Sequence, residues 1–272
     1  MTKYSILTGL IFLFSVVYDP VEAADDNYPV GARSASMSHA SVMLTDFWSV
    51  FHNQAGLVYT ENLTLGVSYS NGFLSSLGEQ FVGMAVPTGN GSLGTSFSYY
   101  GYSEYYEIKG GIAYSMFLTE NLSAGVQIDY FNTHMSGFYE DGHLVTFEAG
   151  LMYKINSDLK IGFHAFNPFH YQIWNRAADV PSVLRIGAGY QVVSDLLICA
   201  EIEKDAEKKL NFKVGLEYLI LNKFFVRTGV STFPFQNSFG IGYNWDRFQI
   251  GVSFLKHHTL GYNSGLSINY SF

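Results

Sequence analysis

The sequence has little charge and a single cysteine, and each shortage narrows what the chain can be. Charged residues make up only 14% of the 272 residues, whereas an ordinary soluble domain carries about 25%. The single cysteine, Cys199, excludes an intramolecular disulfide and a cysteine-rich metal site. Acidic residues outnumber basic ones by 23 to 15, for a formal net charge of −8. Because phosphate binding needs a basic face, this balance argues against a nucleic-acid partner.

Long apolar runs are also missing beyond the N-terminal segment. No later stretch offers the roughly 20 continuous apolar residues that a membrane-spanning helix needs, although hydrophobic residues reach 48% of the chain. Tyrosine, phenylalanine and glycine are abundant, with 20, 23 and 27 copies, and they favour short strands and tight turns. The chain is therefore either an unusually apolar soluble protein or one that meets lipid as strands.

The N-terminus, residues 1–23, is predicted to be a secretory signal peptide. Lys3 supplies a positive start, the apolar stretch 6–17 is too short to span a bilayer, and small residues precede the expected cleavage point. The alternative is a membrane-anchoring helix. It is disfavoured because Asp19 and Pro20 interrupt the apolar run early.

From Leu63 onward the chain repeats a unit of about ten residues of alternating character, followed by a turn. Alternation with a period of two indicates a strand whose two faces meet different solvents. The two rows of one such unit are Leu122, Ala124, Val126, Ile128 and Tyr130, opposite Ser123, Gly125, Gln127 and Asp129.

The alternation predicts fourteen strands, an even number, as expected when both ends of a barrel lie on the periplasmic side. Short turns alternate with mostly longer loops, which is typical of outer-membrane barrels. The predicted fold is all-β: a transmembrane antiparallel β-barrel over residues 61–272 with a short N-terminal plug segment, integral to the bacterial outer membrane and in contact with its lipid. The predicted strands are 62–70, 78–87, 91–101, 104–118, 121–132, 143–154, 158–167, 181–192, 195–203, 209–220, 223–232, 237–245, 247–256 and 259–272.

Most of the charged strand residues share a face with glycines, opposite the aliphatic row. A charge at the bilayer midplane on the outer wall costs about 2–4 kcal/mol, so this face is predicted to be the lumen. The charges either form an ion-pair network that fills the barrel and holds the plug, or they line a polar path. Their near balance of sign favours the network. The residues are Glu107, Lys109, Asp129, Glu148, Arg185, Lys213, Glu217 and Arg227.

The last strand ends on an outward row that includes Tyr270 and Phe272. A terminal aromatic strand is the form of the signal that the outer-membrane insertion machinery reads, so these two residues are the predicted insertion signal. A terminal phenylalanine alone is weak support. It becomes strong after thirteen similar strands.

Residues 24–60 do not alternate and are predicted to form the internal plug. Small residues occupy 31–37, and the more apolar stretch 40–51 is a candidate for a short helix. A segment rich in Ala, Ser and Met fits inside a glycine-lined barrel. The alternative is a flexible periplasmic tail, which would expose its apolar residues to water without compensation.

Short motifs in the plug segment and in the C-terminal half carry a family resemblance. In the plug segment they comprise Gly31, Ala32, Arg33, Met37, Asn53, Ala55, Gly56 and Leu57. Gly215-x-Glu217-Tyr218 and Arg227-x-Gly229 follow in the C-terminal half. These positions resemble the PorV/PorQ family, fourteen-stranded barrels similar to the FadL long-chain fatty-acid transporters. Gln54 stands where that family usually has Pro.

The resemblance implies a non-enzymatic accessory or docking component of type IX secretion, with a secretion-channel protein as partner. The alternative is a FadL-like transporter of hydrophobic small molecules across the outer membrane, with a hydrophobic ligand.

His257-His258 has no spaced third ligand for a metal, and His164 has no Ser and acid at a recognisable spacing. We therefore predict no enzymatic activity and no cofactor. The aromatic loop 167–179 is interpreted as a binding surface or cap, or as a contact with the headgroup layer.

Overall fold

Residues 29–71, 78–137, 141–169, 180–257 and 261–272 are described by the computed structural model of the chain. The predicted signal peptide and most of the aromatic loop lie outside the described residues, as does the second histidine of the His257-His258 pair.

Fourteen strands in the described residues form one closed antiparallel barrel, in which each strand pairs with its chain neighbours and the last pairs with the first. Each strand boundary falls within three residues of the predicted one. The predicted fold class is therefore confirmed. The strands are β1 Thr64–Asn71, β2 Gly78–Thr88, β3 Gly91–Tyr102, β4 Tyr105–Phe117, β5 Leu122–Met135, β6 Gly142–Lys154, β7 Leu159–Phe166, β8 Val183–Val193, β9 Leu196–Asp205, β10 Asn211–Ile220, β11 Phe224–Thr232, β12 Phe235–Trp245, β13 Phe248–His257 and β14 Gly261–Ser271.

The two ends of the barrel differ in their connections. At one end, which we call the short-turn end, the connections are tight, such as 194–195 and 246–247. The opposite, long-loop end carries the connections 136–141 and 167–182, although two-residue turns such as 233–234 also occur there. The predicted asymmetry is present but weaker than the sequence suggests.

The two faces of each strand differ sharply in exposure. On β5, Val126 and Ile128 are 58% and 56% exposed, whereas Gln127 and Asp129 are 1% and 0% exposed. Exposing apolar area to water costs about 25 cal/mol per Å². An outer wall of this kind is stable against lipid, and the polar row faces inward.

The chain ends at the seam that closes the barrel. Phe272 lies one residue beyond β14, and its backbone N–H donates to the carbonyl oxygen of Leu63 at 2.9 Å. Its ring contacts that of Tyr270 edge-on, with centroids 4.8 Å apart. The two aromatic side chains therefore lie on the outer wall beside the first strand.

Residues 29–60, which we call the internal segment, are almost entirely buried and contain three short helices in the described chain. Helix α1 spans Ala32–Ser36, and two 3₁₀ helices span Phe47–Phe51 and Gln54–Tyr59. The predicted helix over 40–51 is wrong for its first half, because the backbone there turns to donate hydrogen bonds to a side chain of the wall. No helix in the described residues is long and apolar enough to cross a membrane.

The internal segment lies inside the barrel and touches nearly the whole ring of strands. Glycines on the inner face leave the space that it occupies, since a Cβ at any of them would lie 3.0 Å or closer to an atom of the segment. These glycines are Gly66, Gly83, Gly94, Gly125, Gly150, Gly162, Gly187, Gly189, Gly215, Gly229, Gly240 and Gly251. The wall and the segment are therefore packed as one interior.

We predict that Gly162→Ala destabilises the barrel by about 1–3 kcal/mol, because overpacking forces backbone shifts. Its Cβ would overlap the carbonyl group of Val42 in the internal segment. The midpoint of urea unfolding in detergent micelles measures the effect. The matched control is Gly110→Ala, whose Cβ would meet nothing within 4 Å. Equal midpoints for the two variants would contradict this packing.

Candidate functional site

The interface between the internal segment and the wall holds three clusters of charged side chains. The first, the Lys109 cluster, joins β4 to β7. Lys109 Nζ lies 2.6 Å from Glu148 Oε1 and 3.6 Å from Asp129 Oδ2. The other oxygen of Glu148 contacts His164 Nε2 at 2.9 Å and accepts a hydrogen bond from Gln54 Nε2 at 2.6 Å. Glu148 thereby connects the wall to the internal segment.

The second, the Glu201 cluster, lies on β8 to β10. Lys213 Nζ bridges Glu201 and Glu203, at 3.1 and 2.7 Å, and Arg185 Nε lies 2.7 Å from Glu203 Oε2. Glu201 Oε2 accepts hydrogen bonds from both backbone N–H groups of residues 41–42, each at 2.8 Å. Two wall cations and two carboxylates thus balance in charge while one carboxylate holds the internal segment.

The third, the Glu217 cluster, connects α1 to β10 and β11. Arg33 donates to both oxygens of Glu217, through Nε at 2.8 Å and Nη2 at 2.6 Å. Arg227 Nε donates to Glu217 at 2.6 Å, and Arg33 Nη1 donates to Asp46 at 2.9 Å. This bidentate geometry fixes the position of the guanidinium as well as pairing its charge.

Seven of the eight charged residues that the sequence places in the lumen belong to these clusters. The eighth, Glu107, accepts a hydrogen bond from the Tyr105 hydroxyl. Glu201 and Glu203 were not among the charges assigned to the lumen from the sequence, although both lie on the inner row of β9 two residues apart. Asp46 was not among them either, because its pairing depends on the folding of the internal segment.

The motif residues of the internal segment make specific contacts with the wall. Met37 is fully buried against Gly215 and Gly229. Asn53 Nδ2 donates to the carbonyl oxygens of Val42 and of Leu151 on β6, at 2.6 and 3.3 Å. The remaining motif residues are also buried or partly buried: Gly31, Ala32, Arg33, Ala55, Gly56 and Leu57.

Two of the cavities formed by the described residues lie between the internal segment and the wall. The larger, of about 120 Å³, faces β11 to β14 towards the short-turn end. The smaller, of about 40 Å³, lies near the long-loop end beside His39 and the cations of the Glu201 cluster. In addition, a buried apolar cluster lies inside β5 to β8 near the long-loop end, formed by Phe131, Leu144, Phe166, Val180 and Val183.

Two histidines are buried in this interior. His164 Nδ1 and both ring nitrogens of His52 have no hydrogen-bond partner among the described residues. Burial lowers the pKa of His52 from its ordinary value of 6.5 to about 4. No group of three His, Cys, Asp or Glu side chains in the described chain is arranged to hold a metal ion.

No protein-family model and no curated protein matches this sequence. Solved structures share its fold at low sequence identity. The monoaromatic hydrocarbon channel CymD gives a TM-score of 0.72 at 13% identity, covering 92% of this chain and 99% of CymD. The toluene transporter TodX of P. putida gives 0.72 at 13% identity, covering 91% and 99%. A FadL homologue of Pseudomonas aeruginosa gives 0.66 at 12% identity, covering 90% and 99%. The chain therefore has the fold of FadL-like β-barrels.

We predict that Glu201→Ala frees residues 41–42 from the wall. The two amides lose their acceptor, and an unsatisfied buried donor costs about 1–3 kcal/mol. Hydrogen exchange of these amides should accelerate by about tenfold to a hundredfold. Glu203→Ala is the control, since it removes a carboxylate that pairs with the same lysine but does not bind these amides. Unchanged exchange in Glu201→Ala would rule out the anchoring role.

We predict an acid-sensitive contribution from His52. Its folded pKa of about 4 lies below its ordinary 6.5, so the unfolded chain binds the proton more readily. Its contribution to stability is full above the unfolded value and is lost as pH falls from 6.5 towards 4. The urea midpoint of the native chain should drop more between about pH 7 and about pH 5 than that of His52→Leu. Parallel pH profiles would exclude this linkage.

Proposed function

We propose that this protein carries small hydrophobic molecules across the outer membrane. Support comes first from the fold, which it shares over nearly the full length of structures described as hydrocarbon channels and toluene transporters. Hydrophobic molecules bind to apolar surfaces, so a barrel that transports them needs apolar surface in its interior.

The observation that carries the proposal is how the internal segment is held. All the ladder pairing of the described strands is between the strands of the wall, and the segment joins none of it. Its bonds to the wall run largely through side chains, such as Glu201, Glu217 and Ser238. The segment can therefore shift without breaking the backbone pairing of the sheet.

The surfaces that such a shift would uncover are apolar. Phe47, Trp48 and Phe51 of the segment pack together, and the Phe51 ring meets that of Phe81 on β2 with centroids 5.9 Å apart. A separate apolar cluster, around Phe131, lies inside the wall near the long-loop end and contains no residue of the segment. In the structure described here these surfaces are covered, so we assign it to a closed state.

A docking role in protein secretion, which the sequence resemblance implies, has less support. The structural relatives named above are described as a hydrocarbon channel, a toluene transporter and a FadL homologue, and none is described as a secretion component. The motif residues that carry the resemblance, such as Arg33 and Asn53, are committed to contacts inside the barrel. They are therefore not presented to a partner while the segment is in place.

A reversible disulfide cross-link between the internal segment and the wall tests the transport proposal. Ser38 Oγ and Ser238 Oγ lie 2.8 Å apart, one on the internal segment and one on β12, so cysteines at both positions are within reach of a disulfide. We expect native protein in liposomes to raise toluene uptake above that of empty liposomes. The oxidised double-cysteine variant, in a Cys199→Ala background, should lose this uptake and regain it on reduction.

The two single-cysteine variants, treated with the same oxidant, are the controls and should keep full uptake. Native protein that gives no more uptake than empty liposomes would sink the transport proposal. Equal uptake by the oxidised and reduced double variant would instead show that this part of the segment stays in place during transport.

A further inference from the structure

The larger cavity has a composition that suits one kind of ligand. Its volume is about 120 Å³, and it lies between Arg33, Asp46 and Trp48 of the internal segment and the strands β11 to β14. Its wall side includes the aromatic ring of Phe225 and the guanidinium of Arg227. A flat apolar surface and a fixed cation therefore face the same small space.

Arg227 is held rigidly at this cavity, with its side chain only 7% exposed. Its Nε donates to Glu217 at 2.6 Å, and its Cζ lies 4.7 Å from the centre of the Phe225 ring. The guanidinium also packs on Gly242, where a Cβ would lie only 3.1 Å from Cζ. Three contacts on three strands thus fix the orientation of this fork.

The two η nitrogens of Arg227 remain as donors. They make no hydrogen bond to any described residue, and Arg227 lines the cavity. The neighbouring carboxylates are already used. Asp46 accepts from Trp48 N at 3.0 Å and from Arg33 Nη1 at 2.9 Å, and both oxygens of Glu217 accept from arginines. The carboxylates beside this cavity are therefore occupied, whereas the η nitrogens of Arg227 are not.

The remaining surface suits a single aromatic ring. Trp48 and Phe225 supply aromatic faces around the space, beside polar side chains such as Gln249. An apolar protein cavity of about 150 Å³ holds benzene, so a space of about 120 Å³ is of the order that a single aromatic ring needs. Arginine binds carboxylates through two parallel N–H···O bonds.

We propose that this cavity binds a small aromatic carboxylate, with its ring between the aromatic side chains and its carboxylate on the η nitrogens of Arg227. The inference goes beyond the proposed function, because equilibrium binding here does not require transport. It adds an acidic class of ligand to the neutral hydrophobic one.

Calorimetric titration of the full chain in detergent micelles with benzoate tests the proposal. We expect saturable binding of one benzoate, and benzyl alcohol should bind at least about tenfold more weakly. Arg227→Lys keeps a cation for Glu217 but loses the two η nitrogens of the guanidinium. It should weaken benzoate binding by about tenfold or more. Gly242→Ala, which displaces the guanidinium, should have the same effect.

Arg185→Lys is the matched control. Arg185 is equally buried and binds a glutamate on the next strand through Nε, but it lies away from this cavity, so benzoate affinity should not change. If a variant fails to fold, an NMR titration of the native protein still tests the proposal. The indole N–H resonance of Trp48 should shift as benzoate is added. No saturable binding, no Trp48 shift, or equal affinity for benzyl alcohol would each overturn the proposal. Benzoate binding without toluene uptake would leave it standing and refute only the transport function.

Discussion

The interior of this barrel depends on three wall carboxylates that bind the internal segment. Glu148, Glu201 and Glu217 lie on β6, β9 and β10, and each pairs with a wall cation while it also accepts a hydrogen bond from the segment. A buried charge that loses its partner costs about 3–5 kcal/mol. The position of the segment and the electrostatic balance of the wall are therefore set by the same three side chains.

The glycines of the inner face make that arrangement sterically feasible. Inward side chains of ordinary size at every wall position would leave too little room inside the barrel for the internal segment. Glycine at positions such as Gly125 and Gly229 lets the backbone of the segment approach the backbone of the wall directly. Close approach brings the carboxylates within hydrogen-bonding distance, so packing and electrostatics support each other. At Gly242 the inner face is covered by the guanidinium of Arg227 and not by the internal segment. The larger cavity lies beside this position.

Much of the wall could be read from the sequence, because alternation is a local property. Each strand reveals its two faces within its own residues, so the strand positions and the inward direction of Lys109 or Arg185 follow directly. The internal segment has no such period. Its 3₁₀ helices and the turn at residues 41–42 are fixed by contacts with strands far away in the chain. The first half of the predicted helix over 40–51 was wrong for that reason.

The alternation alone predicts the fold, the two faces of the wall and most of the charges that point inward, since a period of two admits one face for lipid and one for the lumen. The folded barrel was needed to show which charges pair, where the internal segment is anchored, and that Arg227 keeps two donors facing a cavity. Those outcomes depend on residues that are adjacent in the closed barrel but distant in the chain. Even the chain terminus shows the difference: the outward row predicts that Phe272 faces lipid, whereas its backbone bond to Leu63 exists only because the barrel closes.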